Sequence, residues 1–541
     1  MTSPNGSRTT LVHPPRLRDR VALTVLIAGA LAAVLAVRPY RLFDLDRFFA
    51  PKELALHLAA LLAGLALLSG ARRAALTRVD IALAAWVALS IASALFASNH
   101  WLALRALSIT VSGAVVFWSA RRLAAAGLGG ALAHALAAAV VIGSLTALAQ
   151  AYGLRMEFAA LNRAPGGTFG NRNFMAHLAA IGVPLLLFCI ATARGRLSAG
   201  FWTLSLAACA GALVLSRTRA AWLALFVSAG AALLVAARGP ALIDVPGAKQ
   251  RLAMAVTAAA AGVALALVVP NSLDWRSENP YLESVVGVVN YREGSGRGRI
   301  IQYANTAKMA LAHPVLGVGP GNWPVAYPRY APADDPSLIE GAGMTANPWP
   351  SSDWMAALSE RGVPALIALA VAMLWLLGGA LAVRYDASQP APARLAAVAG
   401  GAALGLAMVE GAFDAVLLLP TPALIVWALA GALLPARREV RSVTLSGSRR
   451  LAALVVVGAA GAWASVTSMG RIEAMRLSTL GTLAAHEKAV SYDPGSFRIR
   501  MRAADAYAAR SQCARARAQA VAARALLPAA QAPRRLLGQC R

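Results

Sequence analysis

GFWTLSLAACAGALVLSRTRAAWLALFVSAGAALLVAARG, residues 200–239, reads as two apolar runs joined by the short turn Ser216-Arg217-Thr218-Arg219. A helix needs roughly 20 mainly apolar residues to cross a hydrocarbon core. Lipid offers the backbone no hydrogen bonds, so a run of that length spans as a helix. The pattern recurs along the chain, near 21–37, 54–70, 81–97, 103–120, 131–152, 174–193, 199–215, 220–237, 252–270, 363–383, 395–414, 421–436 and 451–468. The expected fold class is an all-α polytopic membrane protein with about 12–13 transmembrane helices.

Composition agrees with that reading. The 541 residues are 58% hydrophobic and only 14% charged, against about 25% charged in soluble chains. This excludes an ordinary soluble domain and a disordered chain. Four cysteines are too few for a disulfide scaffold. The net charge of +27 raises the question of nucleic acid, and the placement of the charges answers it. Arginines cluster in alternate loops, as at Arg72, Arg73 and Arg78, at Arg121 and Arg122, and at Arg437, Arg438, Arg441, Arg449 and Arg450. That bias fixes topology, so no nucleic-acid partner is expected. It predicts a multi-pass membrane protein with the N-terminus on the cytoplasmic side and the C-terminus outside. Membrane lipids are then the bulk partner. The expected domains are a cytoplasmic basic tail (1–20), a transmembrane domain (21–468) with a long outer loop (271–354), and an outer tail (469–541).

The tail carries its own pattern. Pro494 and Pro528 lie 34 residues apart and close the phrases AVSYDP (489–494) and ARALLP (523–528). That is the tetratricopeptide period, and the alternative is a plain amphipathic helix pair. Cys513 and Cys540 form either a disulfide or two separate thiols. The tail holds 13 Lys/Arg against 4 Asp/Glu, a surface suited to anionic headgroups or to an acidic saccharide.

Ionisable residues at membrane depth are functional candidates by default, here Arg105, Glu410 and Asp414. Arg217 and Arg219 sit at the outer mouth of two closely joined spans, where a guanidinium can hold a phosphate bidentately. The alternative is a structural ion pair with Glu410 or Asp414. Asp44 and Asp46 form an Asp-x-Asp pair in the first outer loop, beside Arg41 and Arg47. The long loop contains GSGRGRIIQYANTAKMALAHPVLGVGPGNW (294–323). Its spacing predicts an amphipathic helix over Arg299–Leu311, ended at His313-Pro314, and then a Gly-rich turn. No Gly-Lys-Ser/Thr closes that turn and no βαβ unit surrounds it, so neither a Walker nor a Rossmann site is expected.

Arg299, Tyr303 and HPVLGVGPGNW (313–323) together resemble the O-antigen ligase/O-antigen polymerase (Wzy-type) superfamily. NRAPGGTFGNRNFMAHLAA (162–180), LSRTRAAWLAL (215–225), SDWMAALSERG (352–362) and FDLDRFFAPK (43–52) are similar to its other segments. The resemblance covers roughly residues 20–440. It implies metal-independent transfer of a glycan, without cofactor, from undecaprenyl diphosphate to an acceptor hydroxyl. It also implies that the membrane is the bacterial inner membrane and that the outer side, with the C-terminus, is the periplasm. The acceptor is lipid A–core in ligases, the next repeat unit in polymerases, and a Ser or Tyr in protein O-glycosylases. Arg217 and Arg299 match the family's diphosphate-binding arginines. Arg219, Tyr303, Asn322, Trp323, Asn171 and Asn173 fall where substrate contacts are implied. The family's usual His, nine residues before Glu360, is Ser351 here. The usual base is therefore missing: Asp353, Glu360 or a shifted residue substitutes for it, or the acceptor differs, and Ser351 stays a catalytic candidate by its position. That departure leaves a second class open, a catalytically lapsed scaffold whose tail (469–541) recruits an envelope protein partner. A transporter fits the topology but explains neither the long-loop motif nor the outer arginines.

Overall fold

The structure is a computed structural model that describes residues 15–154, 163–238, 240, 247–275, 277–287, 292–435 and 439–540. The first fourteen residues of the basic tail, with Arg8, lie outside the described residues, as do Arg155, Arg437 and Arg438. The helices of the membrane body before the long loop are α1 (Leu17–Leu35), α2 (Asp46–Leu68), α3 (Arg78–Leu95), α4 (His100–Ala125), α5 (Gly129–Ala151), α6 (Arg172–Ala191), α7 (Arg196–Ser216), α8 (Arg219–Ala237) and α9 (Ala248–Val268). The loop adds α10 (Pro280–Val286), α11 (Gly294–Ala312) and α12 (Trp323–Ala326). The body resumes with α13 (Asp353–Tyr385), α14 (Ala391–Phe413), α15 (Pro420–Leu433) and α16 (Gly447–Ser478). The tail is α17 (Leu483–Tyr492), α18 (Phe497–Ala508), α19 (Cys513–Leu526) and α20 (Gln531–Gln539). Four short strands complete the chain: β1 (Arg73–Thr77), β2 (Leu338–Ile339), β3 (Met344–Thr345) and β4 (Glu439–Thr444).

The fold is all-α and polytopic. Eleven helices among the described residues are long and apolar enough to cross a membrane, fewer than the 12–13 expected. The difference has two physical sources. α1 opens on Arg18, Asp19 and Arg20, which dilute a 19-residue helix. α15 is a 14-residue helix, shorter than a full span, yet almost wholly buried.

Side-chain burial orders the bundle. α6 is the central helix, with 89% of its apolar window buried, and it packs on α5, α7 and α14. α8 and α9 are only 11% and 17% buried. Their apolar side chains face outward, as lipid contact requires. Small residues set the close crossings: Gly29 of α1 lies against Ala59 of α2 where no Cβ would fit, and Gly262 of α9 lies against the Ala207 carbonyl of α7. Such contacts let helix backbones approach where lipid supplies no hydrophobic drive. On the face of the basic loops, β1 and β4 pair antiparallel and tie the α2–α3 connection to the segment before α16.

α13 is two helices run together. Gly362 has φ 83° and ψ 171°, a backbone region open almost only to glycine. The break lets the Val363 amide donate to the Pro314 carbonyl at 2.8 Å, which seats the long loop on the span. A Cβ there would also collide with the Val315 carbonyl. Gly362→Ala is expected to cost about 1–3 kcal/mol from backbone strain alone. Thermal unfolding of the purified protein in nanodiscs should show a lowered midpoint; an unchanged one would mean the kink carries no strain.

Ions knit the opposite face. Arg105 of α4 donates to Glu53 at 2.9 Å and Asp46 at 2.8 Å, and Arg471 of α16 donates to Glu53 at 3.2 Å. Arg105 and Asp46 are thereby joined in one network across α2, α4 and α16. In the tail, α17 to α20 each pack on the next, and Cys513 and Cys540 are bonded with Cα atoms 5.2 Å apart.

Candidate functional site

α11 aims one face at a cavity of about 310 Å³. Arg299, Gln302 and Tyr303 are spaced i, i+3, i+4, so they share a side of the helix. Arg299 and Gln302 line the cavity, and the Arg299 Nε is buried without a hydrogen-bond partner. Gln302 accepts from the Ser351 amide at 2.7 Å and donates to the Ser337 hydroxyl at 3.1 Å. The Tyr303 hydroxyl sits 2.5 Å from the Ser351 carbonyl and 2.8 Å from that of Ala412. Tyr303 thus pins two segments that reach the cavity and does not itself line it.

Opposite chemistry comes from α6 and the end of α14. Asn171 caps α6 by accepting from the Asn173 amide at 3.0 Å, and both line the cavity. Asn173 Nδ2 donates to Asp414 at 3.1 Å, and Asp414 is a lining residue too. Behind Asp414 stands His177, fully buried. Its Nε2 lies 3.3 Å from Asp414 Oδ2 and its Nδ1 3.3 Å from Glu410 Oε1. The cavity therefore holds a cation, Arg299, and a carboxylate, Asp414, backed by a histidine.

The arginines of the α7–α8 turn flank this cavity without lining it. Arg217, in the left-handed conformation (φ 53°), donates to Ser284 at 2.8 Å and approaches Glu283 at 3.4 Å. Its expected alternative partners, Glu410 and Asp414, are not the ones it meets. Arg217 and Arg172 share the Trp275 ring, at 4.7 and 4.9 Å from its centroid. Arg219 donates to Ser295 at 2.6 Å, and Ser295 lines the cavity. Thr218, between them, donates to Asn173 at 3.3 Å. Arg163 joins Arg299 in the lining, and Arg219 is one hydrogen bond away from it.

The structure separates Ser351 from the two base candidates, Asp353 and Glu360. Ser351 is in the cavity lining. Asp353 is not; its carboxylate accepts from the amides of Val416, Leu417 and Leu418 at 2.8–3.3 Å. It caps the 414–419 turn and so places Asp414. Glu360 is likewise turned away, accepting from the Gly321 amide at 2.8 Å and the Trp323 amide at 3.3 Å. It clamps the Gly-rich turn, in which Gly319 and Gly321 have φ of 102° and 68° and pack on Ala97 and the Leu102 carbonyl. Asn322 and Trp323 belong to that turn and not to the cavity. Asn322 accepts from the Asn99 amide at 2.8 Å, and the fully buried Trp323 indole donates to Thr306 at 3.0 Å.

His177 and Arg163 went unmarked as site residues in the sequence. A buried histidine inside a span, four residues after Asn173 and so on the same helical face, is the signal that identifies the first. Residues 204–370 match a family model described as O-antigen ligase. The match takes in the α7–α8 turn, α11, the Gly-rich turn and the first half of α13. No curated protein matches the chain.

Proposed function

For a multi-pass membrane protein that carries an O-antigen ligase domain, we propose transfer of a glycan from undecaprenyl diphosphate to an acceptor hydroxyl, of the lipid A–core ligase type, on the outer face of the inner membrane. One observation carries the reading. Arg299 and Asp414 line one cavity at the helix ends, and Arg219 is tied to its lining through Ser295.

The chemistry follows from charge. The bond from the sugar C1 to the diphosphate oxygen breaks, and a bond from C1 to the acceptor oxygen forms on the opposite face, so the anomeric centre inverts. The diphosphate leaves with added negative charge. Fixed guanidinium groups stabilise such developing charge because they need no reorganisation. Arg299 has a buried Nε to offer, and Arg217, Arg219 and Arg163 extend the cationic track toward α8. The outward-facing apolar sides of α8 and α9 suit the polyprenyl chain. The acceptor hydroxyl loses its proton to a general base. A serine hydroxyl at 351 is too weak a base for that step. Asp414 takes the part, held by Asn173 and His177, while Ser351 lines the acceptor's approach. The reading gives Asp353 and Glu360 positioning roles.

Deletion of the gene separates the readings within the superfamily. Loss of a ligase is expected to leave the acceptor bare when its glycan is displayed on a gel; loss of a polymerase leaves single repeat units on it. An unaltered profile, including glycoproteins, would favour the lapsed scaffold with a partner-binding tail.

A further inference from the structure

The cavity's outer wall is held by the tail. β2 and β3 form a small hairpin; Pro336 and Ser337 precede it and Ala346 and Asn347 follow it, and all four line the cavity. The hairpin turn is grasped by the segment leading into and through α20. The Gln531 amide donates to the Ala342 carbonyl at 2.9 Å, and Arg535 donates to the Gly341 carbonyl at 3.1 Å. Gly343, with φ 65°, lies against the Ala529 carbonyl where no Cβ would fit. A second grip reaches the Gly-rich turn: Asn99 donates to the Leu526 carbonyl at 3.1 Å while its own amide donates to Asn322. The Cys513–Cys540 bond fastens α20 to α19, so both grips belong to one cross-linked unit.

Chemistry divides the cavity. Its cations, Arg163 and Arg299, come from the α5–α6 loop and α11. The wall on either side of the hairpin offers Ser337, Asn347 and the Trp349 ring, neutral donors and a stacking surface. That lining suits a sugar, whose hydroxyls hydrogen-bond and whose faces pack on aromatic rings, and not a diphosphate. We propose that the segment Leu526–Arg535 is a positioning element that sets the acceptor side of the cavity by fixing the β2–β3 hairpin. The inference rests on the glycan-transfer reading above.

The test uses the full chain in nanodiscs, with a lipid-linked repeat unit as donor and purified lipid A–core as acceptor. Arg535→Ala removes one charged hydrogen bond, which is worth a factor of about three to ten. The acceptor KM is expected to rise by that factor, while donor KM and the melting temperature stay as in wild type. Arg535→Lys should restore part of the loss. Cys513→Ser/Cys540→Ser should do the same to the acceptor KM and raise amide exchange across 338–347 specifically. An unchanged acceptor KM in Arg535→Ala, with wild-type transfer intact, overturns the inference. So does a rise in both KM values together, which marks general loosening. Absence of transfer in the wild type, onto lipid A–core or a second repeat unit, instead overturns the functional reading.

Discussion

Arg299→Ala is expected to lower glycan transfer by about two to three orders of magnitude, the usual cost of removing one preorganised charge donor. The protein should still insert and reach wild-type levels in membranes. Arg299 is set on α11 by a helical face whose other members, Gln302 and Tyr303, bond the protein itself. The arginine Nε has no such partner. On the proposed reading its removal takes away a ligand contact and leaves the wall standing. Arg299→Lys keeps the charge but loses the planar fork, and its activity should fall between the two. Transfer is read as acceptor-bound glycan per unit of membrane protein. Near-normal transfer by Arg299→Ala would sink the shared-cavity reading. Arg217→Ala is a useful comparison, since Arg217 touches Ser284, Glu283 and the Trp275 ring. Its effect should be larger on donor KM than on kcat, because it lies outside the cavity that holds Arg299 and Asp414.

The spans were legible because length and apolarity act locally. Two of the expected spans depart from the plain apolar rule: α15 has only 14 residues and its neighbours bury it nearly whole, and α1 opens on Arg18, Asp19 and Arg20. α11 was legible for the same local reason, as Arg299 and Tyr303 fall one turn apart. The carboxylates were not. Asp353 and Glu360 look like chemistry at the head of a span, yet each is consumed by backbone amides of another segment, at 416–418 and at 321–323. Nothing near them in the chain announces those amides. Asp414 was marked as a membrane-depth acid, but its partner His177 is 237 residues away and meets it only because α6 packs on α14. The pairing of the two outer cysteines stood open for a like reason, since it depends on how α20 folds back on α19.

Asp414→Asn is expected to lower kcat by about 10²–10⁴, the contribution of a positioned general base, with donor KM within about twofold if binding is unaffected. Among the described residues Asp414 is the carboxylate that lines the cavity, since Glu410 is wholly buried and lies behind His177. One Asp414 oxygen accepts from the Ala415 amide at 2.8 Å, and the other meets Asn173 and His177. A carboxylate offers about four acceptor sites, so an acceptor hydroxyl still has a place. The amide that replaces it has one oxygen to serve these contacts and no basic site for the proton. His177→Gln keeps a donor toward Asp414 but loses the contact with Glu410, so its fall in kcat should be smaller. Asp353→Asn supplies the control for structure: it weakens the cap on 416–418 and should lower the melting temperature, which Asp414→Asn should leave nearly unchanged. Full kcat in Asp414→Asn would mean that the base is elsewhere and that Asp414 only anchors Asn173. A lowered melting temperature equal to that of Asp353→Asn would mean the same, because a base supports the reaction and a cap supports the fold.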